Sequence, residues 1–291
     1  MTSAPRSARR SKQKKPKPVP DFLKSWPTIG AQIHKRGRVT IFLDFDGTLV
    51  DIAPRPELVR LKREAQKVLR RLSKHPLATV VIVSGRRRGE LLEHIAVPDI
   101  HYFGLYGWER DEHSALPPNS QKALREIREK LDPLLKKYPK LWIEDKTSSL
   151  SVHLLHVPAN LHEALRKDLT ATLQPFEKTL HAVGNIRDVE VLPRSIPGKG
   201  LAVKEFLRDT ADKESLPFYF GDDYSDESGF VAVGRGASVH VGKSRPTKAR
   251  YRVKTPAETA KALERIESVL NEIEESRVTN GKARPATAGR R

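Results

Sequence analysis

The segment Ile41-Phe42-Leu43-Asp44-Phe45-Asp46-Gly47-Thr48-Leu49-Val50 constrains this chain more than any other. Its apolar lead-in reads as a strand buried on both faces, the kind that parallel sheets use. Gly47 ends the run and leaves Asp44 and Asp46 at the strand's carboxyl end. In open α/β sheets that edge is where ligands bind. Two carboxylates two residues apart can share one cation, or divide between them attack on an electrophile and proton transfer. An Asp-Gly pair alone is an ordinary turn. A strand running straight into D-x-D-G-T is the setting expected of a reactive site.

The rest of the chain supplies a sheet for that strand. Strands are expected at 39–43, 78–83, 101–105, 217–220 and 237–241, with helices near 57–74, 88–96, from Lys199 onward, 225–231 and 256–273. This alternation predicts an α/β fold with a doubly wound parallel sheet. Between 112 and 186 the rhythm changes. A helix near 120–137, kinked at Pro133, is followed by an extended segment at 148–157 and a helix at 160–173. Strand-like runs follow at 179–183 and 187–192. This reads as an inserted α+β cap domain, able to close over a site, exclude water and select a substrate. The expected division is a core of 21–111 and 187–275, a cap of 112–186, and tails of 1–20 and 276–291.

Three further segments carry chemistry. Ala78–Val83 ends in Ser84-Gly85, where a hydroxyl and a backbone N–H can bind an anionic oxygen. Lys199 follows Gly198 at an expected helix start, where a cation opposes the helix dipole and so calls for an anionic partner. The run Leu216–Phe220 leads into Gly221-Asp222-Asp223-Tyr224-Ser225-Asp226-Glu227, four carboxylates within six residues. Like charges that close need a cation to compensate them. Hard oxygen ligands in a chain without cysteine suit Mg²⁺ most simply.

Composition narrows the class. The 291 residues contain no cysteine, which excludes a disulfide framework and a thiolate metal site and fits a reducing compartment. No apolar run approaches the ~20 residues of a membrane span, and no apolar stretch follows the basic N-terminus as a secretory signal requires. A cytoplasmic protein is expected. Seven Lys or Arg fall in residues 1–20 and five in 276–291, with no acid in either, so the ends hold most of the net charge of +18. These ends read as solvating, disordered tails. Contact with nucleic acid is conceivable for them, but they lack the interleaved aromatics of single-strand binders.

The four segments, in this order, resemble the motifs of the haloacid dehalogenase superfamily. That resemblance implies that Asp44 is a nucleophile forming an aspartyl-phosphate and that Asp46 is the general acid and base. Thr48, Ser84, Gly85 and Lys199 would hold the phosphoryl group. Mg²⁺ would sit on Asp44, the Asp46 backbone carbonyl and Asp222, with Asp226 orienting Lys199 or a metal-bound water. Within the superfamily, the chain is similar to trehalose-6-phosphate phosphatases. Pro54-Arg55-Pro56 resembles their Pro-rich link, and Gly104-Leu105-Tyr106-Gly107-Trp108-Glu109 their G-L-H-G-x-E, with Tyr106 in place of His. Glu144-Asp145-Lys146, Ser149, His153 and Glu190 match their cap pattern. Lys146, Ser149, His153 and Glu190 would then bind the sugar. At two cap positions where these enzymes carry Arg, the chain has Leu155 and Leu192. The implied partner is a small sugar phosphate. The alternatives are a same-fold phosphatase for another ester, such as sucrose or glucosylglycerol phosphate, and a non-catalytic regulatory or nucleic-acid-binding protein.

Overall fold

The computed structural model describes residues 19–53, 58–110, 115–184, 188–210 and 214–282. The basic segment 1–18, the link Pro54-Arg55-Pro56 and the last nine residues lie outside these. Six parallel strands form one sheet in the order β10 (Tyr251–Val253), β9 (Ala237–Val241), β8 (Leu216–Gly221), β1 (Val39–Leu43), β2 (Ala78–Val83), β3 (His101–Phe103). The chain winds outward from β1 in both directions, as the alternating pattern predicts.

Register explains the location of the site. Leu43, the last residue of β1, stands opposite Ile82 on one side and Phe220 on the other. The residues that follow these three therefore emerge at one edge of the sheet: Asp44 from β1, Ser84 from β2, Asp222 from β8. Three motifs far apart in sequence meet because the pairing of three central strands is in step.

Strand residues alternate between two cores, as a period of two requires. Ile41, Leu43, Val80, Ile82, Phe218 and Phe220 pack into the larger one. Its helices are α1 (Trp26–Arg36), α2 (Arg63–Lys74), α3 (Arg88–Ile95) and α8 (Pro256–Lys282). Phe42, Val81, Val83 and Tyr219 point the other way, onto α6 (Lys199–Asp209) and α7 (Glu227–Ala232). Between β3 and α6 the chain builds a second, antiparallel sheet, β4 (Trp142–Asp145), β5 (Leu150–His153), β7 (Asp188–Pro193), β6 (Leu180–Gly184). Its apolar face, with Leu150, Val152 and Val191, is covered by α4 (Pro118–Lys137) and α5 (His162–Leu173). The opposite face is polar and carries the cap residues of the site.

Several expected boundaries move. The second helix begins at Arg63 rather than near 57, and Leu58 is exposed instead of lying on its apolar face. Strand β7 pairs with β5 and β6, so the chain rejoins the parallel sheet only after Pro193, not at 187. The last helix runs to Lys282, so 276–282, expected to be tail, is helical. Pro133 lies inside α4, which continues to Lys137. Among the described residues no helix is long and apolar enough to cross a membrane.

Candidate active site

Asp44 is almost fully buried at the end of β1. Its backbone N–H donates to the Phe220 carbonyl at 2.9 Å, which fixes the chain as it leaves the sheet. One carboxylate oxygen accepts from Lys199 Nζ at 2.7 Å and the other from Thr48 Oγ1 at 3.3 Å. Burial pushes the carboxyl up to about 7, against the pull of Lys199 and with help from nearby Asp226 and Asp46. The group most expected to act as nucleophile thus sits in a dry, oriented and electrostatically tense place.

Lys199 is the first residue of α6, and its head group is buried between two carboxylates, Asp44 Oδ1 and Asp226 Oδ1, each at 2.7 Å. Burial disfavours its charge, but Asp226 and Asp44 outweigh that and raise its proton affinity. These are the anionic partners that a cation at a helix start calls for. Asp226 is held by three hydrogen bonds. It accepts from Lys199, from the Tyr219 hydroxyl at 2.8 Å and from the Asp223 N–H at 3.0 Å.

Asp44, Asp222 and Asp226 bring carboxylate oxygens within 4.8 Å of one another. Asp222 is pushed well up, first by burial and then by Asp44, Asp226 and Asp223. Gly47, at φ +77°, makes room for it: a Cβ there would stand 2.2 Å from Asp222 Oδ2. Three carboxylates around one ammonium leave an excess of negative charge that a hard cation would relieve, and all the donors are oxygens. The group therefore fits a divalent ion. Asp226 already accepts from three donors, one more than Asp44, so Asp44 and Asp222 are the side chains most open to hold it. The Asp46 carboxylate lies outside this group, so its expected contribution rests on its backbone carbonyl.

Asp46 faces Arg86, which grips both its oxygens: Nε to Oδ2 at 2.6 Å and Nη2 to Oδ1 at 2.8 Å. Arg86 is buried, lies over the Phe45 ring and stands 3.6 Å from Glu90. A bidentate pair of this kind orients a carboxylate strongly. Ser84 is buried at the end of β2, and its hydroxyl accepts from the Arg86 N–H at 3.2 Å. Gly85 is crowded: a Cβ there would meet the Tyr106 ring and hydroxyl at 2.9 Å. The loop bearing Tyr106 is held against this turn by Tyr106 N–H to Ser84 O and Leu105 N–H to Arg86 O, both 2.8 Å. Leu105 and Tyr106 take left-handed φ of 45° and 58°, backbone strain that this bonding sustains.

The cap contributes a buried polar cluster. Glu190 accepts from Ser149 Oγ at 2.5 Å and from Ser151 Oγ, and lies 3.3 Å from Lys146 Nζ. Burial works against the charge on Lys146, but Glu190 and Glu144 outweigh it and raise its proton affinity. His153 stands apart from this cluster, bonded through Nε2 to Glu144 Oε2 at 3.0 Å. Glu144 is held low, first by that bond and also by the charges of Lys146 and Arg86. Arg86 thus links the reaction centre electrically to the polar face of the cap sheet.

The strand-end residues Asp44, Thr48, Ser84, Gly85, Lys199 and Asp222 gather at one sheet edge. Lys146, Ser149 and Glu190 form one cluster on the cap, with His153 beside it. Leu192 is buried in the cap core and Leu155 is half exposed. Two participants carried no expectation. Arg86 directly follows Ser84-Gly85 in sequence. Ser151 shares the period of two that links Ser149, just before β5, to His153 on it.

The sequence model of the trehalose-phosphatase family matches residues 42–264. A trehalose 6-phosphate phosphatase of Zea mays is 25% identical over 278 residues, covering 84% of this chain and 76% of its own length. A trehalose-phosphate phosphatase of Mycobacterium tuberculosis is 26% identical over 274 residues, covering 87% and 67%. Among solved structures, the C-terminal domain of the C. albicans trehalose-6-phosphate phosphatase superposes with a TM-score of 0.74 at 18% identity. That match covers 86% of this chain and 98% of the other, which shows a shared fold. The match of the family pattern begins at Phe42, beside the nucleophile candidate, and spans every strand end described above: this chain belongs to the trehalose-phosphatase family.

Proposed function

We propose that this protein hydrolyses trehalose 6-phosphate to trehalose and inorganic phosphate in two in-line displacements at Asp44. The observation that carries the reading is the pairing of a buried Asp44, clamped by Lys199 and Thr48, with a polar cap face centred on Glu190. The parallel unit would serve as catalytic core and the antiparallel unit as cap.

In the first step an Asp44 oxygen bonds to phosphorus, the bond from phosphorus to the sugar's 6-oxygen breaks, and Asp46 protonates that oxygen. In the second, Asp46 takes a proton from water, the hydroxide attacks the aspartyl-phosphate, and Asp44 is released with inorganic phosphate. Lys199, Thr48, Ser84 and the Gly85 N–H donate to the phosphoryl oxygens, where charge is greatest in the transition state. Mg²⁺ held by Asp44 and Asp222 would neutralise charge on the phosphoryl group. For its part in proton transfer, Asp46 has to turn one oxygen from Arg86 toward the substrate. Asp46→Asn is expected to lower turnover of the sugar ester by about 10²-fold or more. The loss in the first step should be smaller with p-nitrophenyl phosphate, whose leaving group needs no proton. Single-turnover measurement of p-nitrophenol release checks this, and equal first-step losses on both esters would remove Asp46 as the acid.

Substrate choice follows from the cap. Glu190, Ser149 and Lys146 offer an acceptor and donors to sugar hydroxyls beyond the reacting phosphate. Binding energy from an unreacting ring can orient the phosphoryl group. With Mg²⁺ present, trehalose 6-phosphate is expected to give the highest kcat/KM in a panel of sugar phosphates. Glu190→Gln should cost about tenfold more for it than for glucose 6-phosphate. A second reading, another sugar phosphate such as sucrose or glucosylglycerol phosphate, draws on the apolar Leu155 and Leu192. A clear preference for such an ester in the same panel would replace the first reading.

A further inference from the structure

Strand β9 runs in step with β8, His240 standing opposite Gly221, so the loop that leaves β9 emerges beside the acidic loop that leaves β8. Gly242, at φ +115°, turns the chain, and His240 Nε2 donates to the Lys243 carbonyl at 3.0 Å, which pins the start of the loop. The turn brings Arg245 onto its acidic neighbour. Arg245 Nη2 donates to the Asp223 carbonyl at 2.9 Å and lies 3.4 Å from the Asp222 carbonyl. Its Nη1 pairs with Glu227 Oε1 at 2.7 Å, and its guanidinium carbon stands 4.4 Å from the centre of the Tyr224 ring. The other oxygen of Glu227 accepts from the Lys248 N–H at 2.7 Å. One side chain thus touches Asp222, Asp223, Tyr224 and Glu227, and its own loop is bonded back to the last of these.

This is not an ordinary surface ion pair. The Arg245 and Glu227 side chains are only 17% and 16% exposed, so solvent screens them little. A guanidinium carries its donors in a rigid fork, and here the fork spans a carboxylate and backbone carbonyls, which fixes the chain it grips. Those carbonyls belong to Asp222 and its neighbour, and the Asp222 carboxylate joins the group with Asp44 and Asp226. On its other side that carboxylate lies where a Cβ on Gly47 would stand, 2.2 Å from Oδ2, so its seat is narrow. Because a side chain starts from its backbone, the grip of Arg245 sets where the Asp222 oxygens can reach. An uncompensated cation so near would also repel a divalent ion. Glu227 cancels that charge, so the loop is held by Arg without weakening the negative field of the site.

Building on the reading that Asp44 and Asp222 hold a divalent cation, we propose that Arg245 is a positioning residue for that cation: it fixes the Asp222 backbone, and Glu227 neutralises it. Both act through Asp222 rather than on the substrate.

The test is calorimetric titration of Mg²⁺ into the whole chain without substrate, for wild type, Arg245→Met and Glu227→Gln, each first confirmed folded by its thermal transition. Arg245→Met keeps the apolar stem and removes the fork, and the Kd for Mg²⁺ is expected to rise about tenfold or more, the scale of losing a group that orients a metal ligand. Glu227→Gln keeps the shape but leaves the guanidinium uncompensated, and the Kd is expected to rise at least about threefold. The Mg²⁺ concentration for half-maximal turnover should move by the same factor in each variant, with turnover regained at high Mg²⁺. A side chain that only props the fold would lower the melting temperature and leave the Kd unchanged. A Kd within about twofold of wild type in Arg245→Met, or turnover lost alike at every Mg²⁺ concentration, would overturn the proposal. Should that variant not fold, the same result in Glu227→Gln overturns it. If wild type itself binds no Mg²⁺, the cation reading fails, and this proposal with it. If wild type binds Mg²⁺ and Arg245→Met binds it equally well, only this proposal fails.

Discussion

Asp44→Asn is expected to lower turnover at least about 10³-fold while the protein remains folded, the scale of losing a group that acts in the transition state. An amide matches the carboxylate in shape but cannot form the phosphoryl ester. The surroundings of Asp44 make this an informative substitution. Lys199 keeps its second anion, Asp226, so no buried ammonium is stranded. Burial disfavours the ionised form of Asp44, as its rise to about 7 shows, so a neutral group in that position removes a cost from the native state. The cores on either side of β1 are untouched. Turnover and the thermal transition should therefore separate: the first collapses, and the second moves by a few degrees at most. Phosphate release beside a melting curve decides it. A folded variant retaining a tenth of wild-type turnover would mean that Asp44 is not the nucleophile.

What the sequence reveals about this site depends on how local each signal is. Asp44, Ser84 and Asp222 end apolar runs, and the strand that precedes each is what makes the polar residue conspicuous. The register of β1 against β2 and β8 then brings them together without any further signal. Lys199 is legible from its conflict with the helix dipole, which the structure resolves with Asp44 and Asp226. Arg86 is different. Its partner Asp46 lies forty residues away, and nothing beside Arg86 marks the pairing, because a bidentate ion pair across two strand ends leaves no local pattern.

The fold shows the same division. The helix Trp26–Arg36 was legible in principle, with Pro27 in its first turn, Ile29 and Ile33 one turn apart, and Gly37 closing it at φ +69°. Strand β10 has only three residues and is defined by its pairing with β9. β7 has the apolar alternation of a core strand, and only its pairing with β5 and β6 sets it in the antiparallel sheet. The final helix runs past 275 through Arg277 to Lys282. Its Arg277 reaches back to the carbonyl of Gly37 at 3.4 Å.

Removing divalent cations is expected to abolish activity, and Mg²⁺ to restore it. Asp44, Asp222 and Asp226 share one buried neighbourhood, in which Lys199 pairs with Asp44 and Asp226. Asp226 accepts from three donors, and the proton affinity of Asp44 and Asp222 is raised first by burial and further by the neighbouring carboxylates, a cost that a bound cation would relieve. A cation bound to the native state alone stabilises it by mass action, by about 2.7 kcal/mol at a hundredfold excess over its Kd. Mg²⁺ should accordingly raise the melting temperature as well as support turnover, and the first effect needs no substrate. Asp222→Ala removes one of two side-chain ligands and should lose both responses, keeping the fold because the Asp222 carboxylate lies at the sheet edge rather than in a core. The corresponding Asp226→Asn should differ: it weakens the grip on Lys199 and lowers turnover, yet leaves the rise in melting temperature with Mg²⁺ in place. Full activity in excess chelator, or an undiminished Mg²⁺-dependent rise in Asp222→Ala, would take the cation away from these two carboxylates.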